Sequence, residues 1–202
     1  SYVTIAGGRA NKASGGYATV AGGQDNTANG DWAVAAGRAN TVSGAYATVP
    51  GGVYASATHF GEMAYASGGF AAAGDAQASV YVLRREYAMA AGSWHDLFLD
   101  GNGTSQRLTI APGRTVTFDI LFSGRTSAGE SAGYRIEGVI ENVGGTTALV
   151  GTPTVTVLGE DDAAWDVHVL ADDTLDALLP QVQGNGETIR WVATVHTAEV
   201  SW

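Results

Sequence analysis

The sequence predicts an all-β chain in two parts, a parallel β-roll of short repeats followed by an antiparallel β-sandwich of jelly-roll type. Three observations carry this. A word of fourteen or fifteen residues is written four times near the start. Beyond residue 77, longer runs of Val, Leu, Ile, Thr, Phe and Trp alternate with polar residues and are divided by turn signals. No segment reads as a helix. The composition shift places two domains at 1–77 and 78–202 of the 202 residues.

The copies begin at Tyr2, Tyr17, Trp32 and Tyr46, so the registers are 15, 15 and 14 residues apart. They read YVTIAGGRANKASG, YATVAGGQDNTANG, WAVAAGRANTVSG and YATVPGGVYASAT, the third lacking one Gly of the pair. Each holds a run with period-two alternation, then Gly, then a second small-residue run closed by Ser14-Gly15, Asn29-Gly30 or Ser43-Gly44. That pattern predicts two strands and two turns per copy, the signature of a solenoid coil. Gly7, Gly22, Gly37 and Gly51 fit corners needing positive φ or close backbone approach, and Asn11, Asn26 and Asn40 suit hydrogen bonds to corner backbone. A coil this short encloses little space, which accounts for Ala, Val and Thr in its interior. Stacked at about 4.8 Å per coil, so lean a core is expected to need lateral partners. The recurring aromatic forms a column up one side, suited to packing against other subunits or to covering the coil. After Tyr46 the pattern drifts through Thr58-His59-Phe60-Gly61, as terminal coils do.

In the second part the expected strands are 79–87, 96–99, 107–110, 115–122, 133–141, 148–150, 154–158, 165–170, 178–182 and 188–199. Val116, Phe118, Ile120 and Phe122 share one face while Thr115, Thr117 and Asp119 lie opposite, as a half-buried strand demands. Asp100-Gly101-Asn102-Gly103, Pro112-Gly113 and Gly184-Asn185-Gly186 supply corners. Pro180, having no N–H to donate, is expected at an edge or a bulge.

A net charge of −10 and a pI near 4.6 argue against binding a nucleic-acid backbone or an anionic lipid surface. No apolar run approaches the roughly 18 residues that span a bilayer, so no membrane insertion is expected. Cysteine is absent, which removes disulfides and thiolate metal sites. With Ser first, the chain reads as a piece of a longer polypeptide.

The pieces aromatic-Ala-Thr-Val-Ala-Gly-Gly and Ala-Asn-x-x-Ser-Gly, recurring in that order, resemble the head repeats of trimeric autotransporter adhesins, which also occur in bacteriophage tail fibres. The resemblance covers the first third and implies a left-handed parallel β-roll assembled as a homotrimer. The stretches AGDAQASVYVLRR, WHDLFLDGN, RLTI, TVTFDILFSGRT, AGYRIEGVIEN, EDDAAWDVHVLAD and TIRWVATVHTAEV resemble the C-terminal module of phage and prophage tail-fibre proteins. That resemblance covers nearly all of the second part and implies a virion appendage, extracellular in its setting.

Candidate sites lie in the second part. Gly129-Glu130-Ser131-Ala132-Gly133 matches the G-x-S-x-G nucleophile elbow, with Asp166 and His168 or His196 following. An elbow needs a helix after the serine, whereas Tyr134 onward reads as a strand, so a hairpin loop is the expectation and no catalytic residue is assigned. Glu160-Asp161-Asp162, Asp172-Asp173 and Asp176 offer hard oxygen ligands without a recognised calcium spacing. His59, His95, His168 and His196 lack zinc spacing, so neither metal nor cofactor is expected. Sugar recognition pairs an exposed ring with carboxylates or amides. Trp94 with His95 and Asp96, together with Asp161, Asp162, Asp172 and Asp173, form the candidate ligand-binding set, while Trp165 and Trp191 fall at inward strand positions. Asn102-Gly103-Thr104 spells a glycosylation acceptor that a hairpin corner explains more simply. The function expected is the structural and host-attachment part of a tail fibre, a homotrimer presenting a non-enzymatic binding surface to a cell-surface glycan or protein receptor. The alternatives are the head of a trimeric autotransporter adhesin and an appendage enzyme that degrades polysaccharide.

Overall fold

The computed structural model describes residues 2–101 and 105–202, so the Asn102-Gly103-Thr104 acceptor lies outside the described residues. The described residues form nineteen strands and no α-helix, hence no helix able to cross a membrane. Two compact units emerge, one of Ser1–Tyr81 with Thr197–Trp202 and the other of Val82–His196. The last residues of the chain therefore belong with the repeats rather than with the strands that precede them.

The first unit is a parallel β-solenoid of about four turns. One ladder stacks β1 (Thr4–Ile5), β3 (Thr19–Val20), β5 (Val34–Ala35), β7 (Thr48–Val49) and β9 (Met63–Tyr65). A second stacks β2 (Lys12–Ala13), β4 (Thr27–Ala28), β6 (Thr41–Val42) and β8 (Ser56–Ala57). The register follows the repeat, with Thr4 opposite Thr19, Thr19 opposite Val34, Val34 opposite Thr48 and Thr48 opposite Met63. Single bridges from Arg9 through Gln24, Arg38 and Val53 to Ser67 make a third column. Side chains alternate across each short strand, so Ala18 and Val20 are fully buried while Thr19 between them is half-buried. The core holds only Ala and Val, among them Ala28, Ala33, Val42, Val49 and Ala57.

The corners explain the remaining repeat residues. Asn26 is fully buried, and its side-chain amide donates to Gly22 O at 3.1 Å and to Gly37 O of the next coil at 2.7 Å. Asn11 and Asn40 repeat the pattern, and Asn40 Oδ1 accepts from Ala55 N at 2.7 Å where the fourth copy has no Asn. Beside this ladder runs a glycine column whose members are Gly8, Gly23, Gly37 and Gly52. Each has a positive φ between 86° and 98°, and a Cβ there would collide with a carbonyl oxygen of the following coil. Gly51, expected at a strained corner, has neither a positive φ nor a neighbour to meet, because Gly52 is the residue in register with Gly37.

The repeating aromatics occupy the opposite kind of corner. Tyr17, Trp32 and Tyr46 have φ of 62°, 55° and 60°, a conformation costing roughly 1–2 kcal/mol in a residue with a Cβ. The strained backbone throws the rings outward into a stack. Centroid separations are 5.4 Å for Tyr2–Tyr17, 5.5 Å for Tyr17–Trp32 and 4.8 Å for Trp32–Tyr46, and Phe60 adds a tilted fifth ring at 5.1 Å. The rings stay about half exposed, from 46% for Trp32 to 76% for Tyr2.

In the last coil Glu62 stands where Ala18, Ala33 and Ala47 point inward, and it is 1% exposed. Its Oε2 accepts from Thr58 N, His59 N and the His59 ring, and its Oε1 from Ser79 Oγ and Tyr81 Oη. Ser79 and Tyr81 reach it because β10 (Ala76–Ala88) pairs antiparallel with β9, Ser79 opposite Ala64. The end of β19 (Thr188–Ser201) supplies Thr197 and Glu199, and Glu199 accepts from Tyr81 Oη, Thr197 Oγ1 and Gln77 Nε2. Burial alone would push the Glu62 carboxyl up, but the His59 ring and backbone, helped by Ser79, hold it below the usual carboxylate value. Burial, then the two carboxylates, push the Tyr81 hydroxyl well above its ordinary value, so it remains a donor. A polar layer thus closes the apolar coil.

The second unit is antiparallel. Here β10 and β19 continue into the order β10-β19-β13-β14, with β13 (Arg114–Thr126) and β14 (Ser131–Val143) forming a long hairpin. The far edge of β14 is shared by β15 (Thr146–Leu149) and β16 (Thr154–Glu160). A second sheet centres on β18 (Ala177–Gln183), with β17 (Asp166–Asp172) on one side and β11 (His95–Asp96) and β12 (Leu108–Thr109) on the other. Every strand expected from the alternation overlaps one observed, with ends shifted by a few residues. Trp165 and Trp191 are 1% exposed and meet edge to face at 5.6 Å, while Tyr134 donates to Trp165 O at 3.0 Å. Pro180 departs from expectation, being buried in the central strand opposite Val169. Its carbonyl faces Leu97 N, so its missing N–H falls on the side where β11 ends and β12 has not begun.

Two outcomes test this fold. Gly51→Ala should leave stability within about 0.5 kcal/mol, whereas Gly52→Ala should cost about 1–3 kcal/mol, compared by denaturant midpoint; equal midpoints would contradict the corner geometry. Because the Glu62 pKa is lowered on folding, its contribution is present above the unfolded value near 4.5 and is lost as pH falls through the folded value. The stability advantage of the wild type over Glu62→Gln, whose amide does not titrate, should therefore be largest above pH 4.5 and shrink as the pH falls below it, read from denaturant midpoints by circular dichroism; an advantage independent of pH would contradict the lowered pKa.

Candidate functional site

The sequence-selected residues fall into three places in the second unit. Asp172 and Asp173 occupy the turn after β17. Asp172 Oδ1 accepts from Thr174 N and Leu175 N, and Asp173 Oδ1 from Thr147 N at 2.6 Å. Asp176, with φ of 49°, accepts from Asn142 Nδ2 and Thr147 Oγ1. Asp172 and Asp173 are thus spent on holding backbone, and Asp176 on the Asn142 and Thr147 side chains. Asp161 and Asp162 lie in the β16–β17 connection, where Asp161 accepts from Ser131 N, and Asp162 from Ala164 N and Asn185 Nδ2. Glu130 and Glu187 join them. The Glu187 charge, then burial, pushes the Glu130 carboxyl above its usual value, with further contributions from Asp162 and Asp161. Among the described residues no group of three or more His, Asp or Glu is placed to hold a metal ion.

Ser131 opens β14 directly from the hairpin turn, and its hydroxyl meets Arg125 Nη1 and Gly129 O. The strand that follows is incompatible with the elbow geometry a nucleophile needs.

Trp94, His95 and Asp96 do come together, with partners brought by other strands. Asp96 is opposite Gln181 across β11 and β18, and Gln181 is opposite His168 across β18 and β17. Directly opposed residues share a face, so the three side chains form one row. Gln181 Nε2 donates to Asp96 Oδ1 at 2.6 Å, and Gln181 Oε1 meets the His168 ring. Trp94, 36% exposed, closes the row by stacking on His168 at 3.7 Å and 23°. At the other end Arg107 pairs with Asp96 Oδ2 at 3.2 Å, with its guanidinium 4.8 Å from the Phe98 ring centre. Arg85 donates to Asp96 O at 2.9 Å and lies 5.0 Å from the Tyr87 ring and 5.6 Å from that of Phe98.

His95 points away from the row, opposite Val182, and meets the Tyr87 ring at 4.8 Å. Burial, then the Arg85 charge, holds its pKa below 6.5 despite the opposing pull of Asp96. His95 Nε2 and Arg107 Nε are shielded from solvent and meet no hydrogen-bonding group among the described residues. The surface offers ring faces, an amide, one carboxylate and two guanidinium groups. Arg85, Tyr87, Arg107 and Gln181 were not among the sequence candidates, and His168 was considered only as a partner of Ser131 or for zinc, not for ligand binding. They lie 70 to 90 residues apart along the chain in some pairs, such as Gln181 and Asp96 at 85, and only strand pairing gathers them. Beneath the neighbouring β10 and β19 a pocket of about 530 Å³ is lined by Arg84, Arg85, Glu86, Asp100, Arg190 and Val192.

The His95 imidazole should titrate below 6.5 in an NMR pH series of its ring protons, and Arg85→Gln should raise that midpoint; a wild-type midpoint at or above 6.5 would count against the described packing.

No family model matches the chain, and no curated protein sequence does. Among solved structures the chain is similar to tailspike protein gp49 of Acinetobacter baumannii bacteriophage Fri1, a capsular polysaccharide depolymerase, at 9% identity and a TM-score of 0.35. It is also similar to the tailspike protein of Acinetobacter phage vB_ApiP_P1, at 10% identity and a TM-score of 0.26. The alignments cover 94% and 92% of this chain but only 36% and 41% of those proteins, so the chain spans well under half the length of either.

Proposed function

We propose that this chain is a structural and host-attachment part of a phage tail fibre, working as a homotrimer on the outside of the virion. In this reading the roll is left-handed and forms the rigid base, and the second unit is a jelly-roll sandwich presenting a receptor-binding surface to a cell-surface glycan or protein. It acts by binding, without bond cleavage.

The observation that carries the reading is the outward aromatic stack on a coil with almost no apolar interior. Four rings, Tyr2, Tyr17, Trp32 and Tyr46, stand about half exposed or more, each held at the same corner. An interior of Ala and Val yields little hydrophobic stabilisation per residue, about 25 cal/mol per Å² buried, so burying these rings against other copies is the natural supplement. The β16 strand adds a second such surface, since Val155, Val157 and Leu158 are 46–57% exposed along an edge. The repeat wording and the wording of the second part, both resembling tail-fibre sequences, support the virion setting. Three identical modest sites on one base raise avidity through effective concentration, without any individually tight pocket.

Sedimentation equilibrium should give three chains per particle, and Trp32→Ser with Tyr46→Ser should shift it to smaller or unfolded species. A folded single-chain species in the wild type at micromolar concentration would overturn the trimer. Purified protein should compete with phage adsorption to susceptible cells and release no reducing ends from their surface polysaccharide.

A further inference from the structure

The row from Trp94 to Arg107 has a charge balance unlike the rest of the chain. The chain carries −10 overall, yet within this row Arg85 and Arg107 meet one carboxylate, Asp96, while Glu86 and Asp100 lie with Arg84, Arg85 and Arg190 around the neighbouring pocket. Asp96 is engaged on both oxygens, by Gln181 and by Arg107, so it is not free to repel an incoming anion strongly. Arg85 has only a backbone carbonyl and two rings as partners among the described residues, which leaves its charge uncompensated. Both guanidinium groups lie within 5.6 Å of the same Phe98 ring centre, so two cations flank one ring. A guanidinium is less strongly hydrated than an ammonium and presents a planar fork that matches a carboxylate. The Arg107 side chain is 23% exposed, so the guanidinium edge that Asp96 does not occupy is open to an incoming acceptor.

The other end of the row suits a different chemistry. Trp94 lies on His168 with one face and keeps indole surface in solvent, the arrangement on which the C–H face of a sugar ring packs. Gln181, whose amide lies in the row beside Asp96, is a short-range polar group of the kind that orients hydroxyls. The acidic remainder of the chain does not cancel the local cations, because its charges act through about 8 Å of screening at physiological salt.

Resting on the attachment reading above, we infer that this surface takes an acidic saccharide, a carboxylate-bearing sugar held at Arg85 and Arg107 with a neighbouring sugar ring on Trp94. A neutral glycan would leave the Arg85 charge without a counter-charge.

The test uses the full chain on an array of bacterial capsular polysaccharides containing uronic acids, each printed in its native and carboxyl-reduced form. Binding is expected to the native forms and at least tenfold weaker to the reduced ones. Arg85→Gln, Arg107→Gln and Trp94→Ala should each weaken binding at least tenfold, Arg107→Lys should lose less than Arg107→Gln, and Arg9→Gln, removing the same charge from the roll, should change nothing. Thermal unfolding of each variant separates lost binding from lost folding. Equal binding to native and reduced forms, wild-type binding by Arg85→Gln and Arg107→Gln, or no binding to any acidic member would each overturn the inference. Cell adsorption that survives Arg85→Gln with Arg107→Gln would overturn it while leaving attachment intact. Absent adsorption by the wild type, with acidic-glycan binding retained, would instead remove the attachment reading.

Discussion

The closeness of one coil to the next governs the repeat unit. Successive backbones are hydrogen-bonded along the stack, as in Thr19 N to Ala33 O at 2.9 Å and Val34 N to Ala47 O at 3.0 Å, so no side chain can intrude between coils. Within a coil of fourteen or fifteen residues the apolar core is built from nothing larger than Val. The large rings are therefore displaced outward, and the backbone accepts left-handed φ at Tyr17, Trp32 and Tyr46 to put them there. The glycine column and the Asn ladder answer the same closeness at the opposite corner. A carbonyl of the following coil lies where a Cβ would go, and the Asn26 amide reaches the Gly22 carbonyl of its own turn while adding a second donor to the Gly37 carbonyl, which already accepts from Gln24 N.

Ending such a stack is a separate problem, because the last coil exposes a row of backbone and a thin apolar interior. Here the inward Ala becomes Glu62, and the chain lays β10 antiparallel across β9. Two carboxylates then share the donors Tyr81 Oη and Gln77 Nε2 in a layer largely shielded from water. Buried charges are tolerable only when hydrogen-bonded, and Glu62 reaches that state through two backbone amides, an imidazole and two hydroxyls. Removing the carboxyl would strand those donors at about 1–3 kcal/mol each. The plug draws on both ends of the sequence's second part, which is why residues 197–202 group with the repeats.

The candidate surface obeys a simpler rule, that directly opposed residues on neighbouring strands share a face. Asp96, Gln181 and His168 are such a set, and Trp94 and Arg107 extend it at either end. Of the sequence candidates, Trp94 and Asp96 join the row and His95 lies behind it, while Asp161, Asp162, Asp172 and Asp173 hold turns in two other places. Polar periodicity was the available signal for His168 and Gln181, since His168 falls outward between buried Val167 and Val169, and Gln181 between buried Pro180 and Val182. Which strand would lie beside which was not readable from that periodicity.

Local rules were legible in the amino-acid order alone: the coil length, its small interior, the Asn corners, the ring column and nearly every strand of the second part. Each depends on residues close in sequence or repeated at a fixed interval, so spacing suffices to reveal it. Tertiary structure alone decided that Gly52 rather than Gly51 is the constrained corner, that Phe60 continues the ring stack, and that Pro180 sits mid-sheet beside a gap between two short strands. It also decided that Glu62 meets Glu199 through Tyr81, and that Arg85, Arg107 and Gln181 surround Asp96. Those arrangements rest on pairings between distant segments, and alternation along one strand carries no information about the register or identity of its neighbour.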